Sequence, residues 1–356
     1  MDIKKKRQGI LAIKRIADEI NYSLILGLLM GENIWKRVNS EEFYKRIQGF
    51  PQKEKRILSF LFLNRKLSKE DTFLCDREIK DLLDLGILEE EGGMFFFPEL
   101  HLLPVNDLLI LCSNRMTEDG NKEELVWVGD DSIFLMNKSL HIENKKVLEI
   151  GVGSGIISIA LAKKNNKVVS TDINKTAIFV CKINCIINNV EEKIELVEGD
   201  LFGDIHSRFD YIVTNPPFLP IKENNKNYYF SNGGNDGLKV IRRIIEKSSD
   251  YLEKTGEAII LGGAFGNDRL PFFYEEIKDN IIYNSLSVIF YIFGKKKANF
   301  ELMHVYEELR MEKQRYSDSL YYYTIIFKIK PDQSGGGKVT YYDCSLSNRD
   351  KLKVFE

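Results

Sequence analysis

Cysteine and histidine are scarce in this chain, and neither is arranged for chemistry. Of 356 residues, five are cysteine (Cys75, Cys112, Cys181, Cys185 and Cys344) and four are histidine (His101, His141, His206 and His304). None shows the spacing of a metal site, so the histidines read as surface or core residues and no metal is expected. Cys181 and Cys185 share one face of a helical stretch and read as core packing. An odd cysteine count without a secretory signal fits a reducing, cytoplasmic setting. Long apolar runs are missing as well. The stretch YSLILGLLM falls far short of the ~20 residues a membrane span needs, so a soluble protein with no membrane partner is expected. The basic start, MDIKKKR, leads into a helical pattern at Ile10, Ile13, Ile16 and Ile20 instead of a signal core. An excess of charge of one sign is absent too. A net charge of −2 argues against a globally basic nucleic-acid binder, although local patches remain open.

Proline is sparse, with eight in the chain, yet two stand side by side in FDYIVTNPPFLP, Phe209 to Pro220. A strand-like run, Tyr211-Ile212-Val213, is followed by Asn215-Pro216-Pro217-Phe218. Prolines end strands because they lack the N–H that a ladder needs. Asn215, preceding a proline, is biased toward extended backbone. The expectation is a stiff loop that holds an amide and exposed carbonyls at the C-terminal edge of a sheet, where open α/β sheets bind ligands.

What is present is an ordinary globular composition, 44% apolar and 29% charged, at a length that suggests two domains. Residues 1–100 read as a mainly helical N-terminal domain, with 16 Lys or Arg against 8 Asp or Glu over residues 1–70. It ends in a helix followed by a hairpin around Gly92-Gly93, a winged-helix-like wing. The acidic Glu89-Glu90-Glu91 at that tip would repel phosphate. Residues 101–140 read as linking strands. Residues 141–331 alternate strand and helix patterns, which implies a parallel sheet with crossover helices. Residues 332–356, opening on a glycine-rich joint at Gly335 to Gly337, read as a C-terminal hairpin or tail.

The chemistry-bearing constellation starts at KVLEIGVGSGIISIALAKK. An apolar strand, then Gly151, Gly153 and Gly155, then a helix, is a turn that lets backbone approach a ligand at a helix N-terminus. A lone glycine turn is weak evidence, and three further strand ends strengthen it. The second strand, KVVSTDIN, ends in Asp172, placed to accept ribose hydroxyls. The third, KIELVEGDLF, ends in Asp200, Leu201 and Phe202, a carboxylate for an exocyclic amine beside an apolar wall. The fourth is the Asn-Pro-Pro-Phe loop.

Taken in order, these segments resemble class I S-adenosylmethionine-dependent methyltransferases, and most nearly the branch with an Asn-Pro-Pro-aromatic loop that includes the release-factor glutamine methyltransferases. The likeness covers about residues 130 to 265, and NGGNDGLKVIRRIIEKSSDYLEKTGEAIILGG extends it downstream. It implies an α/β, Rossmann-like catalytic domain with a seven-stranded sheet whose last two strands are antiparallel. It implies S-adenosyl-L-methionine as cofactor, with Glu149, Gly151, Gly153, Gly155, Asp172, Asp200, Leu201 and Phe202 binding it. Asn215 and the Pro216 carbonyl would take the acceptor nitrogen, and Phe218 would pack over its planar group. Pro217 would line the substrate side. After the loop the chain departs from the family, and Tyr228, Tyr229 and Phe230 together read either as a pocket wall for a small planar substrate or as loop packing.

The resemblance implies nitrogen methylation of a planar amide or amine, with a protein glutamine or other side-chain amide first. A small-molecule or peptide metabolite stays open, because the N-terminal region does not match the helical bundle of the glutamine methyltransferases. A nucleic-acid amino group, less favoured, and a non-catalytic cofactor-binding module also stay open.

Overall fold

The structure is a computed structural model that describes residues 2–30, 40–113, 126–221, 231–279, 285–297, 320–332, 334 and 337–344. The chain divides into two interleaved compact units. The first holds Met1–Glu143, Val152–Asn165 and Asn174–Glu198, and the second Asn144–Gly151, Asn166–Ile173 and Gly199–Glu356.

The first unit opens with helices α1 (Arg7–Asp18), α2 (Tyr22–Met30), α3 (Ser40–Arg46) and α4 (Gln52–Leu61). In α1 the apolar residues recur at helical spacing, and Ile10, Ile13, Ile16 and Ala17 are all buried. After them come β1 (Leu67–Ser68), α5 (Asp76–Asp84), β2 (Glu89–Glu91) and β3 (Met94–Phe96). Helix α5 starts at a capping box, in which Glu78 Oε2 accepts from the Cys75 amide at 2.9 Å. The expected hairpin is present, and β1 pairs with β3 to give a three-stranded order β1-β3-β2. Next are the antiparallel pair β4 (Leu100–Val105) and β5 (Leu108–Ser113), then α6 (Asp130–Ser139).

The two remaining segments of this unit carry α7 (Ile156–Lys163), α8 (Lys175–Ile187) and β8 (Ile194–Glu198). Two asparagines one turn apart, Asn184 on α8 and Asn188 at its C-cap, serve the otherwise open edge of β5. Asn184 accepts from the Leu111 amide at 2.8 Å and donates to the Leu111 carbonyl at 2.8 Å. Asn188 treats Leu109 the same way, at 3.1 and 2.7 Å. Side-chain amides thereby stand in for a neighbouring strand.

The second unit is a twisted sheet. Its strands are β6 (Lys146–Ile150), β7 (Lys167–Asp172), β9 (Phe209–Thr214), β10 (Leu252–Gly266), β11 (Leu286–Lys297), β12 (Tyr321–Pro331) and β13 (Lys338–Asp343). Helices α9 (Lys239–Tyr251) and α10 (Phe272–Asp279) complete it. β6 pairs in parallel with β7 and with β9, and β9 with β10. β12 then lies antiparallel between β10 and β11, which is the antiparallel pair expected at the end of the sheet. One point differs from the expectation of seven strands. Among the described residues the whole sheet has eight strands, in the order β13-β11-β12-β10-β9-β6-β7-β8, so β6 to β12 are the seven and β13 adds an eighth by pairing in parallel with β11. Its addition is cemented by rings, with Tyr342 stacked on Tyr291 at 5.3 Å and Tyr274 edge-on to Tyr341 at 5.5 Å. Phe209, Ile212, Ile260, Phe290 and Phe327 lie in one continuous buried core.

This is an α/β, Rossmann-like architecture with a helical N-terminal region. Among the described residues no helix is long and apolar enough to cross a membrane.

Candidate cofactor and transfer site

The order of strands locates the site. β6 has β7 on one side and β9 on the other, so the chain leaves β6 in one direction and returns beyond it. Such a switch point opens a crevice at the C-terminal strand ends. Register makes this specific. Ile150 is level with Thr171 on β7 and with Thr214 on β9. The residues that follow, Gly151, Asp172 and Asn215, therefore leave the sheet side by side, about one strand spacing (~4.8 Å) apart. Short bonds fix these exits. The Gly151 amide donates to Thr171 O at 2.8 Å, and Thr214 Oγ1 to Ile150 O at 2.8 Å. Glu149, just inside on β6, is buried.

Residues Gly199 to Gly203 fold back on the end of β7. The Gly199 amide donates to Asp172 O at 2.9 Å, and Thr171 Oγ1 donates to Leu201 O. Leu201 has a left-handed backbone at φ 52°, and the Gly203 amide closes the turn on Asp200 O at 3.0 Å. Asp200 is exposed and accepts from Arg243 at 2.6 Å. Phe202 is 6% exposed and lies flat against Tyr251, with ring centroids 4.2 Å apart. Its ring is spent in the core, which leaves half-buried Leu201 as the apolar wall.

On the transfer loop Asn215 and Pro217 are half-buried, and Pro216 and Phe218 are buried. Phe218 belongs to the sheet core, so its face is not open as described. The Asn215 side-chain oxygen is itself buried. Tyr228, Tyr229 and Phe230 lie outside the described residues.

In the first unit the turn continues as Gly153, Ser154 and Gly155. Gly151, Gly153 and Gly155 have φ of 74°, 51° and 82°, the left-handed region that glycine enters without strain. A Cβ at Gly151 or Gly153 would meet nothing within 4 Å, which is the open space a ligand in contact with backbone requires. Gly155 is the N-cap of α7. Ser154 is 2% exposed, and its hydroxyl has no hydrogen-bond partner. A bare turn, a helix N-terminus and a spare buried hydroxyl fit the polar amino-acid end of S-adenosylmethionine.

Sequence reasoning missed several supporting residues. Asn184 donates to Ser154 O at 2.9 Å and so ties α8 to the glycine turn. The Gly-Gly-x-Asp-Gly-Leu segment buttresses the transfer loop. The Leu219 amide donates to Ser231 O at 2.9 Å, and the Gly233 amide to Leu219 O at 2.8 Å. Gly237, at φ 82°, lies so close to the Phe218 carbonyl that a Cβ there would overlap it. Arg242 locks this segment with two bonds to Glu276, at 2.6 and 2.7 Å, and one to Asp236 at 2.7 Å.

Burial alone would raise the Asp236 carboxyl, but bonds from Arg242 and the Leu238 amide outweigh it and hold the group below its ordinary value of 3.8. A depressed folded value adds stability above the unfolded one, and that stability disappears as pH falls through the folded value. Urea midpoints measured between pH 5 and 3 should therefore fall more steeply for the wild type than for Asp236→Asn. Parallel curves would show that the pair contributes nothing.

In the second unit Gly151, Asp172 and Asn215 thus leave one sheet edge side by side, the last of them at the start of a pinned polar loop. The methyltransferase small domain profile matches residues 129–268. A Methanocaldococcus jannaschii protein, named provisionally as a protein N5-glutamine methyltransferase, is 42% identical over 39% of this chain and 73% of its own length. The release factor glutamine methyltransferase of Streptococcus pneumoniae is 34% identical over 32% of this chain, and less than half of its length (44%) is spanned. Among solved structures, the ribosomal protein L11 methylase of Lactobacillus delbrueckii subsp. bulgaricus matches at a TM-score of 0.35 and 18% identity, over 57% of this chain and 78% of that one. The chain belongs to the methyltransferase small domain family and is an S-adenosylmethionine-dependent methyltransferase.

Proposed function

We propose that this chain methylates a planar nitrogen, and that its acceptor is the side-chain amide of a glutamine in a protein. The observation that carries the reading is the row Gly151, Asp172, Asn215 at one sheet edge, with the loop after Asn215 pinned on both sides. The names of the M. jannaschii and S. pneumoniae relatives support the choice of glutamine.

S-adenosylmethionine supplies an electrophilic methyl group on a sulfonium. The chain's own residues hold and orient. Gly151, Gly153, Gly155 and Glu149 would hold the amino-acid end, Asp172 the ribose hydroxyls, and Asp200 with Leu201 the adenine. An amide nitrogen is a poor nucleophile because its lone pair is delocalised. Asn215 Oδ1 and the Pro216 carbonyl would accept its two N–H groups, align the lone pair and favour positive charge developing on nitrogen. Two prolines keep those acceptors rigid, and the N–H proton, made acidic as nitrogen bonds the methyl carbon, passes to solvent, so no strong general base is required.

Arg243 sharpens the cofactor reading. It occupies Asp200, which is to receive the adenine amine, in an exposed ion pair. Such pairs contribute about 0–1 kcal/mol, so Arg243→Gln should tighten S-adenosylmethionine binding by up to about fivefold at low salt, and less at high salt. Calorimetric titration at two salt concentrations checks this. Weaker binding in the variant would mean that Arg243 holds the cofactor instead.

The test of function is transfer of isotope-labelled methyl from S-adenosylmethionine into fractionated host lysate. A labelled protein band whose modified residue is N5-methylglutamine is expected. Label confined to small molecules or to nucleic acid would overturn the acceptor. No consumption of S-adenosylmethionine with any fraction, despite binding, would leave a cofactor-binding module.

A further inference from the structure

We propose that Tyr322 is a positioning residue for methyl transfer, acting through the Phe218 carbonyl to hold the Asn215 loop in register; this rests on the reading of that loop as the acceptor clamp. Tyr322 stands on β12 opposite Phe265 of β10. Its ring does not stay over its own strand. The hydroxyl donates to Phe218 O at 2.7 Å, across 104 residues of sequence, and the residue is 2% exposed. A buried, well-formed hydrogen bond to a loop carbonyl is a directional constraint, because breaking it leaves a carbonyl without water to replace the donor.

The path of the ring has been cleared for it. Gly263 on β10 is the diagonal neighbour of Tyr322, and a Cβ there would overlap the tyrosine hydroxyl and ring carbons. Gly262 beside it would meet the Ile241 side chain and come within 3.0 Å of the Phe327 ring. Adjacent glycines weaken a strand interior by entropy and lost packing, so their presence at the centre of β10 calls for a close approach. Tyr322 supplies it at Gly263. Phe265, edge-on to the ring at 5.3 Å and 71°, sets its tilt.

The carbonyl that Tyr322 holds is also the one against which Gly237 packs. One group thus receives a donor from β12 and a backbone wall from the Gly-Gly-x-Asp-Gly-Leu segment. Phe218 lies three residues beyond Asn215, with two prolines between them. Because Pro216 and Pro217 have fixed φ, fewer backbone torsions are free to absorb a displacement of the Phe218 peptide before it reaches Asn215. Fixing Phe218 O therefore fixes the acceptor pair, and a small misplacement there is costly to a reaction that depends on alignment.

Tyr322→Phe keeps the ring and deletes the bond. The full chain is measured for melting temperature, for amide exchange of the segment around Leu219, Ile221 and Gly233, and for kinetics with S-adenosylmethionine and the host protein band that the wild type labels. Expected are a melting temperature lowered by no more than a few degrees with the transition still cooperative, faster exchange in that segment, and a kcat about tenfold lower, equivalent to about 1.4 kcal/mol, with KM for S-adenosylmethionine unchanged. Gly263→Ala, which pushes the ring aside without removing it, should give the same kcat defect, and the double variant should be no worse than either single. Wild-type exchange, or wild-type kcat, in Tyr322→Phe overturns the proposal. If instead Asn215→Ala also turns over normally, it is the reading of the loop that has failed.

Discussion

Asn215→Ala is expected to lower turnover by about 10²–10³-fold while S-adenosylmethionine binding stays within about twofold of wild type. The magnitude is that of removing one preorganised group from a site where charge develops, which in acyl-transfer enzymes costs about 10²–10³ in kcat. The asymmetry between the two readouts follows from position. Asn215 leaves β9 level with Gly151 and Asp172, but its side chain is assigned to the acceptor and not to the cofactor. Its oxygen is buried in the structure. Asn215→Asp retains an acceptor oxygen and should keep a measurable fraction of turnover. Initial rates with the labelled host protein, together with calorimetric titration of S-adenosylmethionine, separate the effects. Full turnover in Asn215→Ala would remove the loop chemistry, and lost cofactor binding would move Asn215 to the other half of the site.

How far the sequence led depends on how local each signal is. The ends of β6, β7 and β9 were legible because each is a short strand followed at once by glycine, Asp172 or Asn-Pro-Pro. Strand, exit and functional residue all sit within about ten positions, and parallel strands of one sheet open at one edge. Phe202 and Phe218 were read as walls because an aromatic at a strand end is apolar whichever way it points. Only tertiary packing shows that Phe202 lies on Tyr251 and that Phe218 belongs to the core. Tyr322 was beyond reach for a different reason. Its partner is 104 residues away, and a tyrosine in SLYYYTIIFKIK looks like any strand aromatic. The signal that could have found it was Gly262-Gly263 inside the otherwise apolar run from Ala258 to Phe265. The C-terminal hairpin or tail read after β12 carries a strand, but β13 pairs in parallel with β11 instead of folding back on β12, because its companions are rings on β11 and α10.

The same limit applies to Gly155, where the sequence suggested one role and the structure adds another. In the turn Gly151 and Gly153 face open space, but Gly155 does not. A Cβ at Gly155 would overlap the Cys181 sulfur on α8 and reach Ile159 Cδ1 at 3.4 Å, and its φ is 82°. Gly155→Ala should therefore cost stability twice. A left-handed alanine costs about 1–2 kcal/mol, and overfilling the packed contact costs about 1–3 kcal/mol. A loss of about 2–5 kcal/mol is expected from denaturant unfolding. The two contributions can be separated, because the Cys181 sulfur is the atom that a Cβ at Gly155 would overlap. In Gly155→Ala/Cys181→Ala the overlap is relieved and the backbone strain remains. The double variant should then be more stable than Gly155→Ala alone, a coupling of about 1–2 kcal/mol. S-adenosylmethionine binding should stay weakened in both variants, because the N-cap that starts α7 is strained in both. Additive losses would mean that α8 yields around the new methyl group. Wild-type stability in Gly155→Ala would mean that the turn relaxes to a right-handed backbone, and the close approach of α7 to α8 would then not be what requires glycine.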